Sequence, residues 1–197
     1  MRPMSSAFDE ASVRTPAQHA RILARSRDAQ FTMNSDVLTG SLLRSLAASK
    51  PRGALLELGT GCGLGSCWLL DGMDPDSRLT SIDNDPAVQA IAREELGADP
   101  RLTFVLEDGG TFLERCDSRF DLIYADAWPG KYSHLERALG LLHPGGIYVI
   151  DDMLPQPNWP ADHPPKVAAL LDTLDQLRGF EIAKLAWSTG VVICTKR

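Results

Sequence analysis

The chain has 197 residues, 44% hydrophobic and 23% charged, enough for one sizeable core and too few for two comfortable domains. Its 26 acidic against 20 basic residues leave a formal charge of −6 with no long basic run, which excludes a broad phosphate-binding surface and any expected nucleic-acid partner. No stretch approaches the roughly 20 apolar residues of a membrane span. The opening "MRPMSSAFDEASV" lacks the apolar segment of a signal peptide, and Cys62, Cys67, Cys116 and Cys194 form no Cys-x-x-Cys pair, so a cytoplasmic protein with buried thiols is expected.

In chain order, "TPAQHARILARSRD" predicts a first helix with Thr15 as cap, Pro16 at its first position and Gln18 completing a capping box. Leu38, Leu42, Leu43 and Leu46 line one face of a second helix that begins near Asn34 to Asp36 and is stopped by the turn residues 50–53. Strand and helix then alternate: "ALLEL" (54–58) and the helix "LGSCWLLDGM"; "LTSID" (79–83) and a helix opened by Asp85-Pro86; "LTFVLE" (102–107) and a short helix at 111–116. "FDLIYAD" (120–126) precedes "YSHLERALGLLH", and "GIYVIDD" (146–152) precedes a loop over 153–165 carrying Pro155, Pro157, Pro160, Pro164, Pro165 and Trp159. A last helix over 166–177 leads to a hairpin, "FEIAKLAW" and "VVICTK" around Ser188-Thr189-Gly190.

Alternation of this kind predicts a parallel sheet with helices on both faces, and the terminal hairpin adds an antiparallel strand. Ligands of such sheets sit outside the carboxyl ends of the strands, where this sequence places Glu57 with Gly59, Asp83, Asp108, Asp126, and Asp151 with Asp152. "ELGTGCGLGS" does not fit Gly-x-Gly-x-x-Gly, because Leu64 stands at the third glycine position. It fits Glu-x-Gly-x-Gly-x-Gly through Glu57, Gly59, Gly61 and Gly63. Asp83 follows Gly59 near the roughly 20-residue spacing of a carboxylate that accepts ribose hydroxyls. With no Gly-Lys-Ser/Thr phosphate cradle, a nucleoside without phosphates is indicated, and S-adenosylmethionine (SAM), whose sulfonium and amino group are cationic, suits the acids.

Together "LLELGTGCGLGS", "SIDNDP", "FDLIYADAWPGKY", "GGIYVIDDM" and "STGVVICTKR" resemble the class I SAM-dependent methyltransferases, and more narrowly the small catechol and caffeoyl-CoA type O-methyltransferases. The resemblance implies a Rossmann-like α/β fold: a seven-stranded, mostly parallel sheet with an antiparallel C-terminal hairpin strand. It covers residues 32–197 as the transferase domain, with 1–31 as a helical cap segment. It assigns Met33, Asn34 and Ser35 to the cofactor's methionine end, Glu57, Gly59, Gly61 and Gly63 to the turn against its amino-acid portion, Asp83 to the ribose, Asp108 and Gly109 to the adenine edge, and Asp126 to its vicinity. In that family the acid matching Asp126 and an Asp-Asn pair matching Asp151 and Asp152 hold a divalent ion such as magnesium, which positions a diol acceptor. This chain departs twice: Asp152 replaces the asparagine and Pro129 the lysine base, leaving Lys131 as a candidate replacement base beside Asp126.

The expected activity is O-methylation of a small aromatic or diol acceptor, with Trp128 and Trp159 as pocket walls. Alternatives are a metal-independent transferase for nitrogen or sulfur acceptors and a catalytically weak SAM-binding protein. Asp126, Asp151 and Asp152 also admit a reading as ordinary strand-end acids, His134, His143 and Cys62 read as structural, and a monomer or a homodimer is equally compatible.

Overall fold

A computed structural model describes residues 10–157 and 159–197; the first nine residues of the expected cap segment and Asn158 of the proline-rich loop lie outside the described residues. The sheet has seven strands in the order β3-β2-β1-β4-β5-β7-β6: β1 Ala54–Leu58, β2 Arg78–Asp83, β3 Leu102–Leu106, β4 Phe120–Ala125, β5 Leu142–Ile150, β6 Phe180–Leu185 and β7 Val191–Lys196. Strands β1 to β5 pair in parallel, and β7 runs antiparallel to both β5 and β6. The strand order reverses between β1 and β4, so the carboxyl ends of these two strands flank the crevice of the sheet.

The near-continuous apolar runs of the central strands follow from burial on both faces. Consecutive residues serve opposite cores, as the period of two requires. Leu56, Ile123 and Ile150 pack with Phe112, Leu139 and Leu170 on one face, while Leu55, Leu122 and Val149 pack with Leu43, Trp68 and Ile22 on the other. The first face is covered by α5 Gly109–Arg115, α6 Leu135–Gly140 and α7 His163–Asp175, and the second by α1 His19–Asp28, α2 Val37–Ala48, α3 Leu64–Gly72 and α4 Pro86–Leu96.

Several element boundaries differ from the sequence reading. Helix α1 starts at His19, after a turn in which its N–H donates to the Pro16 carbonyl at 3.1 Å, and Gln18 stands at the cap without a side-chain bond. Helix α7 starts at His163, because prolines at a first turn have no N–H to lose. Strand β5 begins at Leu142, four residues early, after α6 stops at Gly140. The Asp caps of α2 and α4 behave as their sequences imply: Asp36 accepts from Leu38 and Thr39 N–H, and Asp85 from Ala87 and Val88 N–H. Helix α1 is fixed by fully buried Ile22 and by the ion pairs of Arg21 and Arg25 with Glu94 and Glu95 of α4.

Gly63, the residue that opens α3, has φ 96°, and a Cβ there would lie 2.8 Å from the Ala92 Cβ of α4. Both its backbone conformation and its packing exclude a side chain. Gly63→Ala should therefore destabilise the fold by roughly 1–3 kcal/mol in a chemical denaturation series. A loss under about 0.5 kcal/mol would show that α3 can tilt freely off α4.

Candidate functional site

At the end of β1 the chain turns sharply. Gly59 and Thr60 N–H both donate to the Ile82 carbonyl, at 2.9 and 3.0 Å, and Gly61 N–H donates to Asp83 Oδ2 at 2.7 Å. Asp83 Oδ1 accepts from Asp85 N–H at 2.9 Å, so the acid at the end of β2 holds both the glycine turn and the entry to α4. A Cβ on Gly59 would stand 3.1 Å from the Asp126 carbonyl, which measures how closely the tips of β1 and β4 approach.

Above these tips lies a cleft of about 430 Å³. It is lined by Met33, Asn34 and Ser35, by Gly59, Gly61 and Asp83, and by Asp126 and Trp128. A smaller recess of about 70 Å³ continues from Asp83 to Asp108 and Gly109. Two residues expected at the cofactor line neither the cleft nor the recess: Gly63 faces α4, and Glu57 is fully buried. Asp108 is also the cap of α5, its Oδ1 accepting from Thr111 N–H at 2.9 Å. Asn34 is occupied locally, its amide donating to Ser26 Oγ at 2.6 Å, whereas Met33 is 72% exposed at the cleft mouth.

Glu57 is fully buried. Its Oε2 accepts from Ser66 Oγ and, at 2.5 Å, from Ser81 Oγ, while Oε1 has no partner among the described residues and lies behind Gly65, where any side chain would collide with it. Burial pushes its carboxyl up to about 7; the two serine hydroxyls oppose that rise and the charge of Asp83 adds to it. Gly65 is itself part of the cleft wall, so the orphaned oxygen sits one backbone thickness from the ligand space.

The second group of acids joins β4 to β5. Asp126 Oδ2 accepts from Ser35 Oγ at 3.4 Å, and its Oδ1 lies 3.6 Å from Lys131 Nζ. Lys131 is only 5% exposed and donates to the Asp151 carbonyl at 3.0 Å. Gly130, with φ 92°, makes this possible: it presses so closely on Leu58 and Tyr148 that a Cβ would clash with both, and the turn at Trp128 then points the next residue inward. Burial raises Asp126 well above the ordinary carboxylate range; the Lys131 charge works against this, and Asp151 and Asp152 reinforce it.

Among the described residues the expected metal set is not assembled. Both Asp151 oxygens are engaged, Oδ2 by Tyr124 O–H at 2.9 Å and Oδ1 by Thr189 O–H and Asp152 N–H at 2.6 and 2.8 Å. Asp126 faces the Lys131 ammonium, and among the described residues no group of three or more His, Cys, Asp or Glu is placed to hold a metal ion. Asp152 adopts φ 60°, a left-handed conformation that Asp and Asn tolerate better than most side chains. An Asx residue at this position thus has a backbone reason that involves no metal.

Trp128 is 52% exposed, with the Lys166 ammonium 4.1 Å from its ring centre. Trp159 does not line the cleft; it stacks 4.5 Å from His163, which sits 6.2 Å from Trp128 and shares a 3.1 Å hydrogen bond with Tyr132. The sequence reading missed Tyr124, which links Ser35 at 3.2 Å to Asp151, and His163, which joins the two tryptophans. A phenol within the buried run LIYA of β4 was the available signal for Tyr124.

A family model described as "Methyltransferase domain" matches residues 56–153. A protein named "Putative O-methyltransferase" from Mycolicibacterium vanbaalenii is 30% identical over 161 residues, covering 75% of this chain and 71% of its own. One of the same name from Mycobacteroides abscessus is 32% identical over 165 residues, 75% of this chain and 76% of its own. The O-methyltransferase TomG of Streptomyces achromogenes, solved with SAM, shares the fold with a TM-score of 0.83 at 20% identity over 100% of this chain and 99% of its own. The methyltransferase PaMTH1 of Podospora anserina, solved with bound SAH, gives 0.83 at 21% identity over 98% and 94%.

The buried Glu57 predicts a pH dependence. Its folded value is raised, so between about 4.5 and about 7 the folded state binds more protons than the unfolded one and stability falls as pH rises. Glu57→Gln removes this titration. The variant should gain on the wild type across that window by up to roughly 3 kcal/mol in urea denaturation. A constant difference between the two proteins from pH 4.5 to 7 would show that Glu57 is ionised in the free protein.

Proposed function

The chain belongs to the O-methyltransferase family, and from that premise we propose that it transfers the methyl group of SAM to a hydroxyl of a small aromatic or diol acceptor. The observation that carries this reading is the charge of the cleft. Among the described residues its lining includes Asp83, Asp85 and Asp126 and no Lys, Arg or His, with the oxygen of Glu57 that has no partner there behind it. A lining in which acids predominate disfavours the phosphates of a dinucleotide, whereas a cationic nucleoside complements it. The volume lies within the usual range for small-molecule sites.

In this reading residues 32–197 form the transferase unit, and the segment before it caps the unit with Phe31 lining the cleft. Asp83 receives the ribose hydroxyls, the recess at Asp108 and Gly109 receives the adenine, and Glu57 receives the amino group. The cofactor supplies an electrophilic methyl carbon on a sulfonium centre. Asp126 stands at the acceptor side of the cleft, its basicity raised by burial, and takes the hydroxyl proton as the acceptor oxygen bonds to that carbon and the carbon–sulfur bond breaks. Trp128 offers an exposed indole face at the cleft mouth on which an aromatic acceptor stacks.

Calorimetry with SAH should show binding that Asp83→Ala weakens by about 1.5–3 kcal/mol, roughly ten- to a hundredfold, through lost charged hydrogen bonds and a loosened Gly61 turn. A panel of catechols, phenols, amines and thiols incubated with methyl-labelled SAM should label the hydroxyl acceptors. Labelling confined to amines or thiols, or unchanged SAH affinity in Asp83→Ala, would contradict the assignment.

A further inference from the structure

Resting on the transferase reading above, we propose that Lys131 is the resident cation of this site: its ammonium takes the place between the β4 and β5 strand ends that a divalent ion would occupy, and the enzyme works without a metal.

Three observations carry this. Lys131 Nζ sits 3.6 Å from Asp126 Oδ1 and 3.0 Å from the Asp151 carbonyl, so one positive centre spans the two strand ends. The side chain is 5% exposed, and a buried ammonium is tolerated only when paired. The oxygens of Asp151 already accept from Tyr124, Thr189 and Asp152 N–H, and Asp126 Oδ2 accepts from Ser35, which leaves the Asp152 carboxylate outside this network. A divalent ion drawn to Asp126 would stand beside a buried like charge.

The same geometry separates the roles of the two catalytic candidates. An ammonium paired with a carboxylate and a carbonyl has no lone pair to offer, so Lys131 is not the base. It holds Asp126 in place and places positive charge where the acceptor oxygen becomes anionic. The proton passes from the acceptor hydroxyl to the Asp126 carboxylate, the oxygen's electron pair forms the bond to the methyl carbon, and the carbon–sulfur pair returns to sulfur, which leaves as a neutral thioether. No further reactant is needed.

The test titrates Mn2+ into the purified full chain, read by electron paramagnetic resonance, and assays turnover with and without EDTA. Wild type should take up no Mn2+ and keep full turnover in EDTA. Lys131→Met should keep SAH affinity within about twofold while losing turnover by about 100-fold or more, and Lys131→Arg, which restores the charge, should recover part of it. Mn2+ uptake by wild type that disappears in Asp126→Ala, inactivation by EDTA, or undiminished turnover in Lys131→Met would overturn the proposal. So would a loss of SAH affinity as large as the loss of turnover, which would make Lys131 a strut of the fold. Should Lys131→Met fail to fold, the wild-type Mn2+ titration decides alone. If no acceptor is ever methylated, the transferase reading fails while that titration still reports on the cation.

Discussion

Carboxylates taken out of water at the ends of parallel strands set the terms for the rest of this molecule. An ionised carboxylate in a low-dielectric interior costs several kcal/mol unless hydrogen bonds or an opposite charge compensate it. Glu57 and Asp151 are both nearly inaccessible, and Asp126 is largely covered. Each is compensated differently. Two serines serve one oxygen of Glu57, a tyrosine, a threonine and a backbone N–H serve Asp151, and a lysine serves Asp126. The compensation is complete at Asp151 and half complete at Glu57, whose second oxygen has no partner among the described residues.

That unevenness ties stability to chemistry. In the proposed function, the groups that weaken the free protein are those that a cationic nucleoside would relieve. Tyr124 extends the coupling across the sheet: its hydroxyl touches Ser35 in the segment before α2 and Asp151 at the end of β5. The wall of the ligand cleft and the last parallel strand are thereby joined through one buried phenol.

Much of this was legible in the residues. The strand and helix alternation, the antiparallel terminal strand and the gathering of acids at strand ends follow from period and punctuation, which are local properties. The Asp83 spacing was equally readable, since a strand, a helix and a second strand fix where that acid falls. The failures are of another kind. The metal set came from the family resemblance, and a motif match does not reveal which oxygens are already bonded in this chain. The fate of Lys131 depends on Gly130 reaching a left-handed φ against Leu58 and Tyr148, a tertiary contact between three separate segments. Gly63 matched the glycine pattern yet serves helix packing, because sequence shows that a side chain is missing but not which neighbour requires it. Trp159 was placed by its loop, and the loop folds into α7 early enough to stack it on His163.

The central claim is that the orphaned oxygen of Glu57 waits for a cationic ligand group. Calorimetry of SAH binding near pH 6.5, repeated in buffers of different ionisation enthalpy, measures the protons exchanged on binding. A carboxyl held at about 7 in the free protein and ionised by an ammonium partner in the complex must release a proton. The account predicts net release of roughly half a proton or more at that pH, absent in Glu57→Gln. Binding with no proton release, or release that survives the glutamine substitution, would contradict it.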